Sequence, residues 1–215
     1  MSSHQTLPTN RQITVVGPIA SGKTTASQLL AKELALPLLD ADLYEENPFL
    51  PAYIEDTPRW SFTTELFFTL ARIKKLRVVG KMLEKSSVIV DSGLIMSHQV
   101  YTKNHLVQGT MTAAEWEFFT RIVSDYQSNL PQPDIVIHLT ASPETQLQRI
   151  ATRGRSFESG YTLEYVQSIT DRLTEYAQSI ATQKDVVYLP FNTEQFDLSK
   201  EVNQHKLLST LKSSL

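Results

Sequence analysis

The chain has 215 residues and no cysteine. Disulfides, thiol nucleophiles and thiolate metal sites are therefore excluded. No apolar run approaches the ~20 residues needed to span a bilayer. The first ten residues, Met1 to Asn10, are polar and have no apolar core of the signal-peptide kind. The expected location is cytoplasmic, without a membrane partner. A strong charge of either sign is also missing, since the net charge is −3. The densest basic runs, Arg72 to Arg77 and Arg149 to Arg155, could grip a few phosphates but not coat a duplex, so no nucleic-acid partner is expected. There is no internal repeat and no low-complexity linker.

Hydrophobic residues make up 41% and charged residues 20%, enough for a core and against wholesale disorder. The length suits one domain spanning 1–215, with residues 1–10 expected to be flexible. Arg11 to Val16 reads as a buried strand, followed by a helix over Thr24 to Ala35 and a short strand at Pro37 to Asp40. The segment Ala41 to Thr57 is broken by prolines. Thr57 and Pro58 then open a helix expected to run to about Glu84. Further strands are predicted at Ser87 to Val90, Asp134 to Leu139 and Val186 to Leu189. Helices are predicted after the capping box Thr112/Glu115, after Ser142-Pro143, over Thr162 to Ala181 and over Ser199 to Leu211. Strands that alternate with helices and read as continuous apolar runs indicate an α/β fold, a parallel sheet covered on both faces. Ligands of such sheets bind at the carboxyl ends of the strands.

One motif lies at such an end. Gly17, Pro18, Ile19, Ala20, Ser21, Gly22, Lys23 and Thr24 fit G-x-x-x-x-G-K-[ST] between a predicted strand and a predicted helix. The glycines let successive N–H groups turn inward on phosphate oxygens, and the helix start adds its positive dipole end. Lys23 is placed to reach the β- and γ-phosphates and the Thr24 hydroxyl to bind Mg²⁺. The motif gives nucleotide binding but not reaction type. A small chain without a second domain favours a kinase of a small molecule.

Several segments together resemble the deoxynucleoside kinase family, especially its bacterial deoxyadenosine and deoxyguanosine kinases. They are GPIASGKTT at 17–25, ENPFL at 46–50, RWSFTTELFFTLAR at 59–72, VIVDS at 88–92 and PDIVIHLTASPETQLQRIATRGRSFE at 133–158. The resemblance implies a three-layer P-loop fold with a five-stranded parallel sheet of order 2-3-1-4-5, an arginine-rich lid and a homodimer. It implies transfer from ATP, with Mg²⁺, to a deoxynucleoside 5′-hydroxyl, a purine being favoured. Thr25 joins the phosphate-binding segment. The lid arginines are Arg149, Arg153 and Arg155, whose guanidinium forks suit phosphate oxygens. The resemblance assigns the sugar 3′-hydroxyl to Glu158, the general base to Asp42 with Asp40 as competitor, and the Mg²⁺ shell to Asp91 with Thr24.

The chain departs from the family pattern around the acceptor. Asp42 stands where Glu is usual, and Ser92 where many relatives carry Arg. On the long helix Glu65 and Arg72 are seven apart and share a face. Relatives have Gln at the first of these positions. A carboxylate offers only acceptors and guanine offers two adjacent donors, so Glu65 with Arg72 hints at guanine; equally, Glu65 could simply neutralise Arg72, since the usual acid partner is replaced by Ser97. A pocket tyrosine expected near Ile54 is absent, with Tyr53 adjacent. Tyr101 stands where relatives stack an aromatic ring on the base. Trp60, Phe62, Phe67, Phe68, Trp116, Phe118 and Phe119 read as core, and His98 and His105 as non-ligands. Two other functions stay open: a kinase for another small acceptor, such as a nucleoside monophosphate or modified nucleoside, and a non-catalytic nucleotide-binding regulator.

Overall fold

A computed structural model of the chain describes residues 10–40 and 43–214. Five parallel strands form one sheet in the order β2-β3-β1-β4-β5. They are β1 (Gln12–Val16), β2 (Leu38–Leu39), β3 (Val88–Asp91), β4 (Ile135–Thr140) and β5 (Val187–Asn192). The strand order agrees with the sequence expectation.

The two faces of the sheet follow from the period of two. Ile13, Val15, Ile89, Ile135, Ile137 and Leu139 pack with Ala26 and Leu30 of α1 (Lys23–Leu34) and with Leu207, Leu208 and Leu211 of α10 (Glu201–Lys212). Val16 and Val136 face the other way, onto Ile150 of α8 (Pro143–Arg153) and onto Val166, Ile169 and Leu173 of α9 (Leu163–Ala181). Val88 and Val90 share that face. They pack on Ile73 and Leu76 of α3 (Thr57–Leu76), Val79 of α4 (Val79–Leu83) and Val123 of α7 (Ala113–Gln127). The result is the three-layer arrangement, with the strands buried from both sides.

Several boundaries differ from those the sequence pattern suggests. The helix expected to run unbroken to Glu84 is two helices. The Val78 amide bonds back three residues to Lys75, which tightens the turn and redirects the chain so that Val79 is fully buried. Its N-cap is Asp56, not Thr57: the Asp56 carboxylate accepts from the Arg59 amide at 3.1 Å, while Thr57 donates its hydroxyl to the Tyr53 carbonyl. β5 runs on through Pro190, beyond the expected end at Leu189; it is an edge strand, where a missing N–H costs no ladder bond. The capping box at Thr112 and the caps at Ser142 and Thr162 are present.

A helical run that the sequence pattern did not mark follows β3. It comprises α5 (Leu94–Ser97), a π-helical turn (His98–Thr102) and α6 (Lys103–Val107). Such wide turns often occur at functional sites. A short helix α2 (Leu50–Glu55) precedes α3. Among the aromatics expected in the core, Phe68 and Phe119 are buried, whereas Phe118 is 51% exposed: Phe119 meets Phe62 from within the core, and Phe118 flanks the same ring from the surface, 6.2 Å away. Residues 1–9 and Asp42 lie outside the described residues, and with them the expectations of a flexible N-terminus and of the favoured general base. Among the described residues no helix is long and apolar enough to cross a membrane.

The buried ring of Phe119 meets Phe62 edge-on, with centroids 5.1 Å apart. Phe119→Ala is expected to lower stability by about 3–5 kcal/mol, read from chemical denaturation midpoints.

Candidate active site

The site is assembled at the carboxyl ends of β1, β3 and β4. β1 ends at Val16 and the chain turns through residues 17–22 into α1. Two residues of the turn have positive φ, Ala20 at 55° and Gly22 at 89°. Gly17 is required for a different reason. A Cβ there would lie 2.4 Å from Ser21 Oγ and 3.0 Å from the Leu139 carbonyl. The loop thus lies directly against β4. Ser21 is buried and its hydroxyl makes no hydrogen bond. A buried hydroxyl without a partner, at the start of a helix, fits a phosphate group.

The Lys23 ammonium donates to the carbonyls of Gly17 at 2.9 Å and Pro18 at 2.8 Å. Burial lowers its pKa from 10.5 to about 8, opposed by Asp91. The parallel register sets Val15 opposite Asp91, which brings that carboxylate beside the loop. Asp91 accepts from the Thr24 hydroxyl at 3.3 Å and from Ser92 at 3.2 Å. Burial raises the Asp91 pKa, with Lys23 pulling it back down. Two oxygen donors of hard character on adjacent elements fit Mg²⁺.

The arginines of the lid segment are held in three different ways. Arg149 donates to the Ala20 carbonyl at 3.2 Å and to the hydroxyl and carbonyl of Thr193 at 2.9 and 2.8 Å. It therefore ties the phosphate loop to the end of β5. Arg153 forms a forked pair with Glu158, with Nη2 2.6 Å from Oε1 and Nε 3.1 Å from Oε2. Glu158 is only 3% exposed. Gly154, with φ 66°, ends α8 between them, and Arg155 lies over the Phe157 ring.

Three clefts run together. Ala20 to Thr25, Arg149, Arg153 and Thr193 line the first. The second contains Lys23, Thr24, Asp91, Ser92, Arg155 and Glu158, and it shares Lys23, Thr24 and Arg153 with the first. The third, behind it, shares Tyr44, Arg72 and Tyr101 with the second and adds Tyr53, Glu65, Ser97 and His105. The structure thus gathers most of the sequence-nominated residues that it describes along three adjoining clefts; Asp40 lines none of them.

Within the third cleft Glu65 does not bond to Arg72. Its Oε2 accepts from Thr102 at 2.8 Å, while Arg72 donates to Ser97 at 2.9 Å and its Nε makes no hydrogen bond. Ile54 is 49% exposed, and Tyr53 instead lines the cleft. Asp40, the competing base, is exposed, and its carbonyl accepts from Lys75. Tyr44, Tyr161, Tyr165, Thr102 and His105 were not nominated from sequence. Tyrosine is common in cores, so position alone gave no signal for the first three; His105 was weighed only as a metal ligand. Desolvation raises the pKa values of Tyr53, Tyr101, Tyr161 and Tyr165, so all four hydroxyls keep their protons. His98 lies apart from the cleft residues, stacked on Trp116 at 4.3 Å, with its pKa lowered by burial to about 4.

Two expectations follow. Gly17→Ala should weaken nucleotide binding by at least ~10-fold, measured by calorimetry, because the added methyl cannot fit between the loop and β4. Lys23 gives a pH signature. Its folded pKa lies below the unfolded one, so between pH 8 and 10.5 the unfolded chain binds more protons, and the cost of burying Lys23 fades as pH rises through that window. A bound phosphate would restore the proton. Nucleotide affinity should therefore fall as pH rises above about 8, with proton uptake on binding near that pH, detected by calorimetry in two buffers of different ionisation enthalpy. Lys23→Met should abolish the uptake.

Comparison with known proteins gives consistent results. Residues 13–214 match the family model described as deoxynucleoside kinase. The chain is 29% identical over 157 residues to a deoxyguanosine kinase of Bacillus subtilis, covering 73% of each chain. It is 28% identical over 209 residues to that organism's deoxyadenosine/deoxycytidine kinase, covering 94% of this chain and 91% of the relative. Among solved structures, deoxyadenosine kinase from M. mycoides with bound dCTP superposes with a TM-score of 0.79 at 23% identity, covering 95% of this chain and all of that one. A fold built around the 17–24 loop, and a family match over nearly its whole length, place this chain in the deoxynucleoside kinase family.

Proposed function

We propose that the protein transfers the γ-phosphate of ATP to the 5′-hydroxyl of a purine deoxynucleoside, with deoxyguanosine preferred, in cytoplasmic nucleotide salvage. The observation that carries this reading is the continuity of the three clefts through shared residues. A donor triphosphate on the loop and a nucleoside in the rear cleft would meet at Lys23, Asp91 and Glu158.

Phosphoryl transfer demands positioning and neutralisation of charge more than covalent chemistry. Lys23, Arg153 and Arg155 supply positive charge around the moving group. Glu158 takes the sugar 3′-hydroxyl, which requires it to exchange part of its pairing with Arg153. Mg²⁺ held by Thr24 and Asp91 would add charge against the phosphate oxygens. Asp42 is the proposed general base for the 5′-hydroxyl, on the resemblance alone. Arg149 acts by fixing the loop to Thr193.

Glu65 supports the guanine assignment because Arg72 does not neutralise it. Its carboxylate accepts from Thr102 at Oε2 and keeps further lone pairs for the adjacent ring N–H and amino group of guanine, and Arg72 can address O6 and N7. A monophosphate acceptor would need further cations beside it. Of the two arginines on that side, Arg59 and Arg72, Arg59 is exposed over the Trp60 ring. A homodimer through α3 and α7 remains part of the proposal, supported by exposed Phe118 lying 6.2 Å from Phe62; light scattering should give twice 24.3 kDa.

The decisive measurement is kcat/KM over a panel of deoxynucleosides, nucleosides and monophosphates. Deoxyguanosine should lead, and Lys23→Ala should reduce turnover by ~100-fold or more without unfolding the chain. Glu65→Gln should move preference toward deoxyadenosine by ~10-fold or more. Wild-type protein that phosphorylates deoxyadenosine far better than deoxyguanosine would defeat the guanine assignment.

A further inference from the structure

The helical run after β3 meets each of the charged groups that α3 sends into the rear cleft with a hydroxyl. Arg72 donates to Ser97 at 2.9 Å, and Thr102 donates to Glu65 Oε2 at 2.8 Å. The direction of the second bond is fixed, because a carboxylate only accepts. Ser97 and Thr102 are five apart. On a regular α-helix that spacing turns two side chains by about 140° from one another, onto different faces. Here the intervening residues form the π-helical turn, in which the Lys103 amide bonds back five residues to the His98 carbonyl. Bonding over five residues stacks positions five apart on one face. The widened turn is therefore what lets one helical run meet both Glu65 and Arg72.

The two hydroxyls are placed differently. Ser97 lines the cleft beside Arg72. Thr102 is fully buried and is not among the cleft-lining residues, so it reaches Glu65 from outside the cleft wall. It engages Oε2. Oε1 makes no hydrogen bond among the described residues, and His105 lies 4.0 Å from it, beyond hydrogen-bond length. One carboxylate oxygen is thus tethered and the other is left to the cleft. Glu65 and Arg72 stand two turns apart on α3, about 10 Å along the axis, a gap that two long side chains can close. An untethered Glu65 carboxylate can turn along the helix to Arg72, whose Nε makes no hydrogen bond, and a carboxylate paired in that way reads no base.

We infer that Thr102 is a positioning residue for acceptor specificity: by tethering Glu65 Oε2 from outside the cleft, it keeps the carboxylate off Arg72 and aimed at the ring N–H and 2-amino group of guanine. The inference rests on the proposal that a deoxynucleoside occupies this cleft with its base toward Glu65. It goes further in giving a role to a residue that touches no substrate and to the π-helical turn that delivers it.

Deoxyguanosine and deoxyinosine differ only in the 2-amino group, so the ratio of their kcat/KM values reads the aim of the carboxylate. Wild type should favour deoxyguanosine by ~10-fold or more, and Thr102→Val, which is close in shape but lacks the hydroxyl, should cut that ratio by ~3–10-fold. Thr102→Ser keeps the hydroxyl and should keep most of the ratio. A packing defect would lower both substrates alike and leave the ratio unmoved. In the Glu65→Gln chain, Thr102→Val should change the ratio no further, because its effect runs through the carboxylate. If Thr102→Val does not fold, Thr102→Ala removes the same hydroxyl and should lower the same ratio. A wild-type ratio near one, a ratio unchanged in both Thr102→Val and Thr102→Ala, or an equal cut in the Glu65→Gln chain overturns the role of Thr102 while leaving the preference for deoxyguanosine over deoxyadenosine standing. Wild-type rejection of both substrates in favour of deoxyadenosine overturns both.

Discussion

Val15 stands opposite Asp91 in the parallel ladder, and that register sets one carboxylate beside one ammonium at the mouth of the sheet. The bond from Thr24 to Asp91, and the electrostatic pull between Asp91 and Lys23, depend on three strands ending at nearly the same level, with β1 between β3 and β4. The strands hold that level because their side chains are buried on both faces. A slip of one residue would turn every apolar side chain to the wrong face. The core and the site are thus one constraint. Gly17 shows this most directly, since the loop that bends around phosphate also packs against Leu139 of β4.

The electrostatics of the channel change along its length. Near the loop, charges of both signs are crowded together. Lys23 is shifted down by desolvation and Asp91 up, each partly restored by the other. Groups in this condition respond strongly to a bound polyanion, because its charge acts where water is largely excluded. Toward the rear, four tyrosines with raised pKa values surround one carboxylate, one guanidinium and a neutral imidazole. That end suits an uncharged ligand whose edge is read by hydrogen bonds.

The paired Arg153 and Glu158 connect the two regimes. Glu158 is almost fully buried, and a buried carboxylate without its partner would be costly. The forked bond holds it within reach of the transfer cleft. Gly154 supplies the left-handed residue that turns the chain back between the two, an arrangement that a side chain with a Cβ adopts only under strain.

Much of this was legible in the residues themselves. The P-loop declares itself through spacing, because the backbone must curl there and few residue types allow it. The strands declare themselves as apolar runs, because both faces are covered, and the capping box at Thr112 is a local matter of two side chains. Other features were not legible. The break between α3 and α4, the π-helical turn and the extension of β5 through Pro190 arise from packing against distant elements, which no local pattern records. The rear cleft was half visible. Glu65 and Arg72 could be placed on one face of a helix from their separation of seven, but whether they neutralise each other depends on Ser97 and Thr102, which arrive from a different helical run. The same holds for His105. Its identity is written in the chain, but its contacts with Thr110 and Tyr53, and its place 4.0 Å from Glu65, forty residues away, are not. Hydrogen bonding between remote side chains is a property of the folded shape, and only the fold could assign it.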